Sequence, residues 1–278
     1  MKKSIGVGNR SRTSRSPRAK KRFGQHFLQD AWADKLVTVI DPQPDDQFIE
    51  IGSGPGVLTR RLAPRVSHLT AIEVDRDMVA SLAPDLPANV TLIHGDFLEV
   101  DLGAIAEGHR VRVAGNLPYN VSSPILFRLL ETHRRAGLLV DATLMLQREV
   151  AERLTAAPGT GEYGVLSIFV QMQCDVRRVL ALPPGAFRPA PTVHSAVVHC
   201  RFRPPAAAVA DERVFEAMVR SMFTQRRKTL LNALRPYATS RGASAGAALA
   251  SAGIDQRRRP ETLQLTELTR LADYFASN

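Results

Sequence analysis

The sequence predicts an α/β fold, a sheet built from βαβ units, followed by a small all-helical C-terminal domain. Three observations carry this. Short apolar runs of strand length recur at 48–51, 69–74, 90–93 and 111–114. The first leads into Gly52-Ser53-Gly54-Pro55-Gly56, where glycines let the backbone turn sharply and approach a ligand closely. Beyond Pro204-Pro205 the strand pattern gives way to helical periodicity.

Composition narrows the class of partner. The 278 residues carry 37 Lys and Arg against 27 Asp and Glu, a net charge of +10, which points to a polyanion. Nine of those bases (Lys2, Lys3, Arg10, Arg12, Arg15, Arg18, Lys20, Lys21, Arg22) fall in residues 1–22 with no acid. Taking nine from +10 leaves about +1 for the rest, so the excess sits in an arm expected to be disordered and to meet RNA phosphates. No apolar run approaches the ~20 residues of a membrane span, and the N-terminus lacks the apolar core of a secretory signal. Cys174 and Cys200 form no metal-ligand or redox spacing and suit a reducing cytosol.

In chain order, Lys21 to Leu28 closes the arm: Gly24 allows a bend, and Phe23, Phe27 and Leu28 can pack on the elements after them. His26 reads as a surface histidine from spacing alone. A helix is expected over 30–40, before Asp41-Pro42. The strand 48–51 and the glycine turn lead to a helix at 57–63. The strand 69–74 then delivers Glu73, 21 residues beyond Gly52, where an acid in a βαβ unit hydrogen-bonds the two hydroxyls of a ribose. The dinucleotide fingerprint wants a third glycine at 57, which is Val57. A nucleoside without pyrophosphate fits better, with S-adenosylmethionine first and a nicotinamide cofactor second.

The strand 90–93 ends at Gly95-Asp96-Phe97, with Asp96 placed to take an adenine amino group and Phe97 beside the ring; a turn Asp before a helix is the other reading. After the strand 111–114 come Asn116-Leu117-Pro118-Tyr119. The Asn116 side-chain oxygen and the Leu117 carbonyl can accept from both hydrogens of a flat aromatic amine and so free its lone pair. Pro118 holds Leu117 extended, and Tyr119 offers a stacking face worth ~1–3 kcal/mol. Alone, the tetrapeptide also reads as a strand end with an ordinary Pro turn.

A helix at 122–131, capped by Ser122 or Ser123, precedes a strand at 138–146 and a helix at 148–155. The glycine-bearing loop 157–164 can close over a substrate, and 165–173 is helical. Strands at 175–182 and 195–202 bracket a stiff loop with four prolines. That loop either anchors Phe187 in the core or poses it to clamp the second face of a base. Helices are expected at 211–223, 226–237, 244–252 and 266–275. Arg226, Arg227 and Lys228 form one basic knot and Arg257, Arg258 and Arg259 another, read as phosphate-tracking.

Taken together, KRFGQHFL, EIGSGPGVLT, IEVD, GDFLEVD, NLPYNVSSPIL and FRPAPTVHS resemble, in order and spacing, the small-subunit (16S) rRNA adenine N6,N6-dimethyltransferase family. The resemblance covers nearly everything from Lys21 onward. It implies a Rossmann-like, seven-stranded class I methyltransferase sheet over 23–203 and a helical RNA-binding domain over 204–278. It also implies S-adenosylmethionine as donor, no metal, and two adjacent adenines near the 3′ end of 16S rRNA as targets. Carried over by residue, the cofactor site comprises His26, Leu28, Gly52, Glu73, Asp96 and Asn116. The base site comprises Asn116, Leu117, Tyr119 and Phe187. Ser53 stands where a proline is common and His26 where many members have Asn. The expected setting is a cytoplasmic monomer acting on the immature 30S subunit. Alternatives are a 23S rRNA dimethyltransferase of the antibiotic-resistance type, a mainly non-catalytic assembly factor, and a nicotinamide-dependent oxidoreductase.

Overall fold

The structure, a computed structural model, describes Lys20 and residues 25–277. The expected basic arm (Lys20 apart), Phe23 and the bend at Gly24 lie outside these residues. The chain runs β1 (Phe27–Leu28), α1 (Asp30–Ile40), β2 (Gln47–Ile51), α2 (Thr59–Leu62), β3 (His68–Glu73), α3 (Arg76–Leu82) and β4 (Val90–His94). It continues through α4 (Leu102–Ala106), β5 (Val111–Asn116), α5 (Ser122–Ala136), β6 (Leu139–Gln147), α6 (Arg148–Leu154), α7 (Val165–Gln173) and β7 (Cys174–Leu182). Then come β8 (Phe187–Arg188), β9 (Ser195–Phe202), α8 (Glu212–Phe223), α9 (Leu230–Ser240), α10 (Ala245–Ser251) and α11 (Leu265–Ala276).

Seven strands form one sheet in the order β4-β3-β2-β5-β6-β9-β7. The first five are parallel, and β9 is antiparallel to both neighbours. Central parallel strands are covered on both faces, which is why β2, β3 and β5 read as near-continuous apolar runs. One face packs Ile49, Ile51 and Val113 against α4 to α7; the other packs Phe48, Leu69 and Ala114 against α1 and α2. A third core gathers α8 to α11 and also takes Ala156, Tyr163, Ile168 and Met172 from before the linker. The helical unit is therefore seated on α7 rather than tethered by residues 204–210 alone.

From β2 the chain winds outward to β3 and β4, then returns to lay β5 on the opposite side of β2. Ligands of open α/β sheets settle in the crevice at such a reversal. Ile51 pairs with both Ile72 and Gly115, so the glycine turn, Glu73 and Asn116 all leave from one edge. Gly115 permits this close approach, since a Cβ there would stand 2.7 Å from the Ile51 carbonyl oxygen.

Several elements differ from expectation. The helix expected from 226 begins at Leu230, because its first amides are taken by neighbouring carbonyls: Leu230 N–H donates to Arg258 O at 2.7 Å and Leu231 N–H to Gln256 O at 3.2 Å. The helix expected at 57–63 shrinks to α2, as the left-handed Gly56 (φ 81°) prolongs the turn. α5 runs on to Ala136, where left-handed Gly137 ends it. Neither Ser122 nor Ser123 caps it; Ser122 Oγ donates to the Tyr119 carbonyl instead.

Candidate active site

One cleft is lined by Gly52, Ser53 and Gly54, by Glu73 and Val74, by Asn116, Leu117, Pro118 and Tyr119, and by residues 25–28. The glycine turn carries left-handed backbone at Gly52 (φ 73°) and Gly54 (φ 52°), which a side chain would strain. Gly54 N–H donates to Glu73 Oε2 at 2.7 Å and Asp75 N–H to Oε1 at 2.8 Å. Glu73 thus pins the turn to the end of β3, and its carboxylate keeps lone-pair capacity for a further donor. Burial raises its carboxyl pKa, against the pull of these backbone bonds.

Residues 25–28 form a strap across the cleft. Lys20 Nζ reaches Asp75 and Asp77, each at 2.6 Å, and Gln25 Nε2 donates to Asp75 at 3.2 Å. His26 Nδ1 lies 2.7 Å from the Pro189 carbonyl oxygen, and its ring stacks on Tyr119 with centroids 5.7 Å apart. Asn116 Nδ2 donates to the His26 carbonyl at 2.6 Å. Tyr119 OH shares a 2.6 Å hydrogen bond with Ser195 Oγ; burial raises its pKa despite that bond, so the ring stays neutral.

Two expected site residues are placed differently. Phe187 is 1% exposed in the core beside Leu36 and Val197 and pairs across β1–β8 with Leu28. It does not line the cleft, so the anchoring alternative describes its position and the clamp does not. Phe187→Ala is expected to cost ~3–5 kcal/mol of stability in denaturant unfolding; a loss under about 1 kcal/mol would mark it as a surface clamp. Asp96 reaches the rim, because Gly95 N–H donates to the Glu73 carbonyl at 3.0 Å. It stays exposed outside the cleft lining, however, with Oδ1 accepting from Leu98 N–H at 2.9 Å. Phe97 packs in the core rather than beside a ring.

Four cleft neighbours were given no role from the sequence. Val74 is 42% exposed, an apolar side chain held open beside Glu73. Ser53 Oγ is buried with no partner among the described residues. Ser195 meets Tyr119 only through tertiary structure. Glu50 was visible in principle as an acid inside an apolar strand: it is 2% exposed and accepts from Thr59 Oγ1 at 2.6 Å.

Burial pushes the Glu50 carboxyl from 4.5 up to about 7, with the Thr59 hydrogen bond opposing and the Glu73 charge adding. The folded protein then holds this proton more tightly than the unfolded chain does. Its stabilising contribution is fully present below the unfolded value and is lost as pH rises toward and through about 7. The loss is on the order of 3 kcal/mol. Glu50→Gln keeps an acceptor for Thr59 and cannot ionise. Its melting temperature should therefore gain on the unaltered chain between pH 5 and pH 8, and a constant difference would contradict the assignment.

The two basic knots adjoin, joined by the Leu230–Arg258 and Leu231–Gln256 backbone bonds. Arg258 is held by both Glu267 oxygens and the Thr262 carbonyl, and Arg226 by Glu261 and the Gly161 carbonyl. Arg227, Lys228, Arg257 and Arg259 are exposed, with Arg257 paired to Asp255 at 3.3 Å.

A glycine turn, an acid on the next strand and an Asn-Leu-Pro-Tyr corner around one cleft are the layout of an open α/β methyltransferase. The profile of the family described as "Ribosomal RNA adenine dimethylase" matches residues 16–277, and the chain belongs to that family. It is 43% identical over 266 residues to "Ribosomal RNA small subunit methyltransferase A" of Xanthomonas campestris pv. campestris, covering 94% of this chain and 98% of the relative. The protein of that name from Syntrophotalea carbinolica is 45% identical over 263 residues, covering 92% and 96%. Among solved structures, a dimethyladenosine transferase from Plasmodium falciparum superposes with a TM-score of 0.76 at 24% identity, covering 91% of this chain and 98% of that one. The 23S rRNA methyltransferase ErmE gives 0.66 at 26% identity, covering 90% and 99%. Membership implies S-adenosylmethionine as donor and sets aside the nicotinamide alternative.

Proposed function

We propose that the chain transfers methyl groups from S-adenosylmethionine to N6 of two adjacent adenines near the 3′ end of 16S rRNA, giving N6,N6-dimethyladenines during small-subunit assembly. The observation that carries this is the single cleft shared by the glycine turn, Glu73 and the Asn-Leu-Pro-Tyr corner. Relatives at 43% and 45% identity bear the small-subunit name, whereas the 23S enzyme is matched at 26%.

The donor fits the walls present. Glu73 has capacity for ribose hydroxyls, Gly52 lets the backbone approach, and His26, Leu28 and Asn116 border the same space. The orphaned Ser53 hydroxyl awaits a polar partner there, and Asp96 stands at the rim for the adenine amino group. When bound, S-adenosylmethionine supplies an already activated methyl group, so no protein nucleophile is needed. Asn116 Oδ1 and the Leu117 carbonyl accept from the target amine and free its lone pair. Tyr119 stacks the flipped base, offsetting part of the few kcal/mol of unstacking. No strong general base is required, because the amine turns acidic only once methylated.

Arg227, Lys228, Arg257 and Arg259 track phosphates, braced by the paired Arg226 and Arg258. The catalytic body is assigned to 23–203 and the RNA-binding helical unit to 204–278. The proposed setting is a cytoplasmic monomer on the immature 30S subunit. Among the described residues no helix is long and apolar enough to cross a membrane. The large hydrophobics left exposed there, Val74, Val179 and Val193, are scattered singly.

Incubating separated ribosomal subunits with labelled donor, then mass-mapping the rRNA, tests the reading. Four methyl groups on two adjacent adenines of small-subunit rRNA are expected. Label on the large subunit would overturn the assignment.

A further inference from the structure

We infer that the main-chain carbonyl of His26 is a positioning element for the reaction: it holds the Asn116 amide by its NH2, so that Oδ1 is presented to the target amine. This rests on the reading of Asn116 as acceptor and asks what fixes its orientation. A primary amide can turn either end toward a neighbour, and its value as an acceptor depends on which end faces the substrate. At 2.6 Å from a carbonyl oxygen only the nitrogen end is tolerable. Among the described residues Oδ1 accepts no hydrogen bond, and neither does the Leu117 carbonyl. Both acceptors therefore remain available while the donor of Asn116 is committed.

The strap is well placed to serve this way. It is anchored from three directions: by Asp75 through Gln25 and Lys20, by Pro189 and Tyr119 through the His26 ring, and by Phe187 through the β1–β8 pairing. Cofactor wall and base corner are thus joined by one hydrogen bond across 90 residues of sequence. The latch favours an asparagine over an aspartate at this position. A carboxylate would serve the amine equally well as an acceptor, yet it would face the His26 carbonyl with no proton to give.

Asn116→Asp separates the two roles. Ionised, it keeps an acceptor and loses the latch; protonated, its hydroxyl can donate to His26 while the other oxygen accepts. Glu50, Glu73, His26 and Tyr119 are the titratable groups bordering the same cleft. They are unchanged in Asn116→Ala, which serves as the pH control.

At pH 8 the Asp variant should transfer methyl groups ~10²-fold more slowly than the unaltered chain, the scale of a misplaced reacting geometry. It should recover at least about tenfold relative to Asn116→Ala on going to pH 5.5. Hydrogen exchange of residues 25–28 in the cofactor-free chain should be faster in the Asp variant at pH 8 and return toward normal at pH 5.5. In the unaltered chain, which needs no variant to fold, one Asn116 side-chain amide proton should be shifted downfield and protected. An Asp variant near full rate at pH 8, or an unprotected Asn116 amide, overturns the latch and leaves the acceptor role standing. A fully active Asn116→Ala overturns the acceptor role itself.

Discussion

Asn116→Ala is expected to slow methyl transfer by ~10²–10³-fold, the scale seen when one preorganised polar contact to a reacting group is removed. Its dissociation constant for S-adenosylmethionine should rise less than about tenfold. The split follows from the geometry. The Ala variant removes the acceptor at the head of the corner, while Glu73, the glycine turn and the remaining anchors of the strap stay in place. Single-turnover transfer to small-subunit particles, set beside calorimetric donor binding, measures both quantities. Unchanged turnover would remove Asn116 from the chemistry; equal losses in both would make it a general support of the cleft.

Glu73→Ala reverses that split. Two backbone amides, Gly54 and Asp75, lose a partner in a buried place, at ~1–3 kcal/mol each. The ribose hydroxyls lose a charged acceptor, itself worth ~1.5–3 kcal/mol per hydrogen bond. Donor affinity should fall by ~10²-fold or more, and melting temperature should drop even without donor. Glu73→Gln should lose less, since its carbonyl oxygen can still accept from one amide. An Ala variant that binds the donor normally would show that the ribose lies elsewhere.

Much of this site was legible from sequence, for a physical reason. Parallel strands buried on both faces must be apolar throughout, and a turn that approaches a ligand needs glycine, so β2, the glycine turn, Glu73 and the Asn116 corner stood out. The features that stayed hidden depend on partners remote in sequence. The β1–β8 pairing joins Leu28 to Phe187, and two-residue strands have no periodicity to read; the burial of Phe187 accompanies that pairing. Asp96 was read from its place after a strand, which shows the rim but not whether the side chain turns inward. Both basic knots were read whole as phosphate-tracking. Only tertiary structure reveals Glu261 and Glu267 binding Arg226 and Arg258. From spacing alone His26 read as a surface histidine, and only the resemblance placed it in the cofactor site; its carbonyl and its ring are both engaged within the cleft.

The central claim is that donor and target amine meet in one cleft, between the glycine turn and the Asn-Leu-Pro-Tyr corner. A structure of the chain with S-adenosylhomocysteine and an adenine-bearing fragment of small-subunit rRNA tests it most directly. The account predicts the flipped base on Tyr119, its N6 within hydrogen-bond distance of Asn116 Oδ1 and the Leu117 carbonyl, and the sulfur facing N6. A base seated away from that corner, or a donor bound outside the glycine turn, would contradict it.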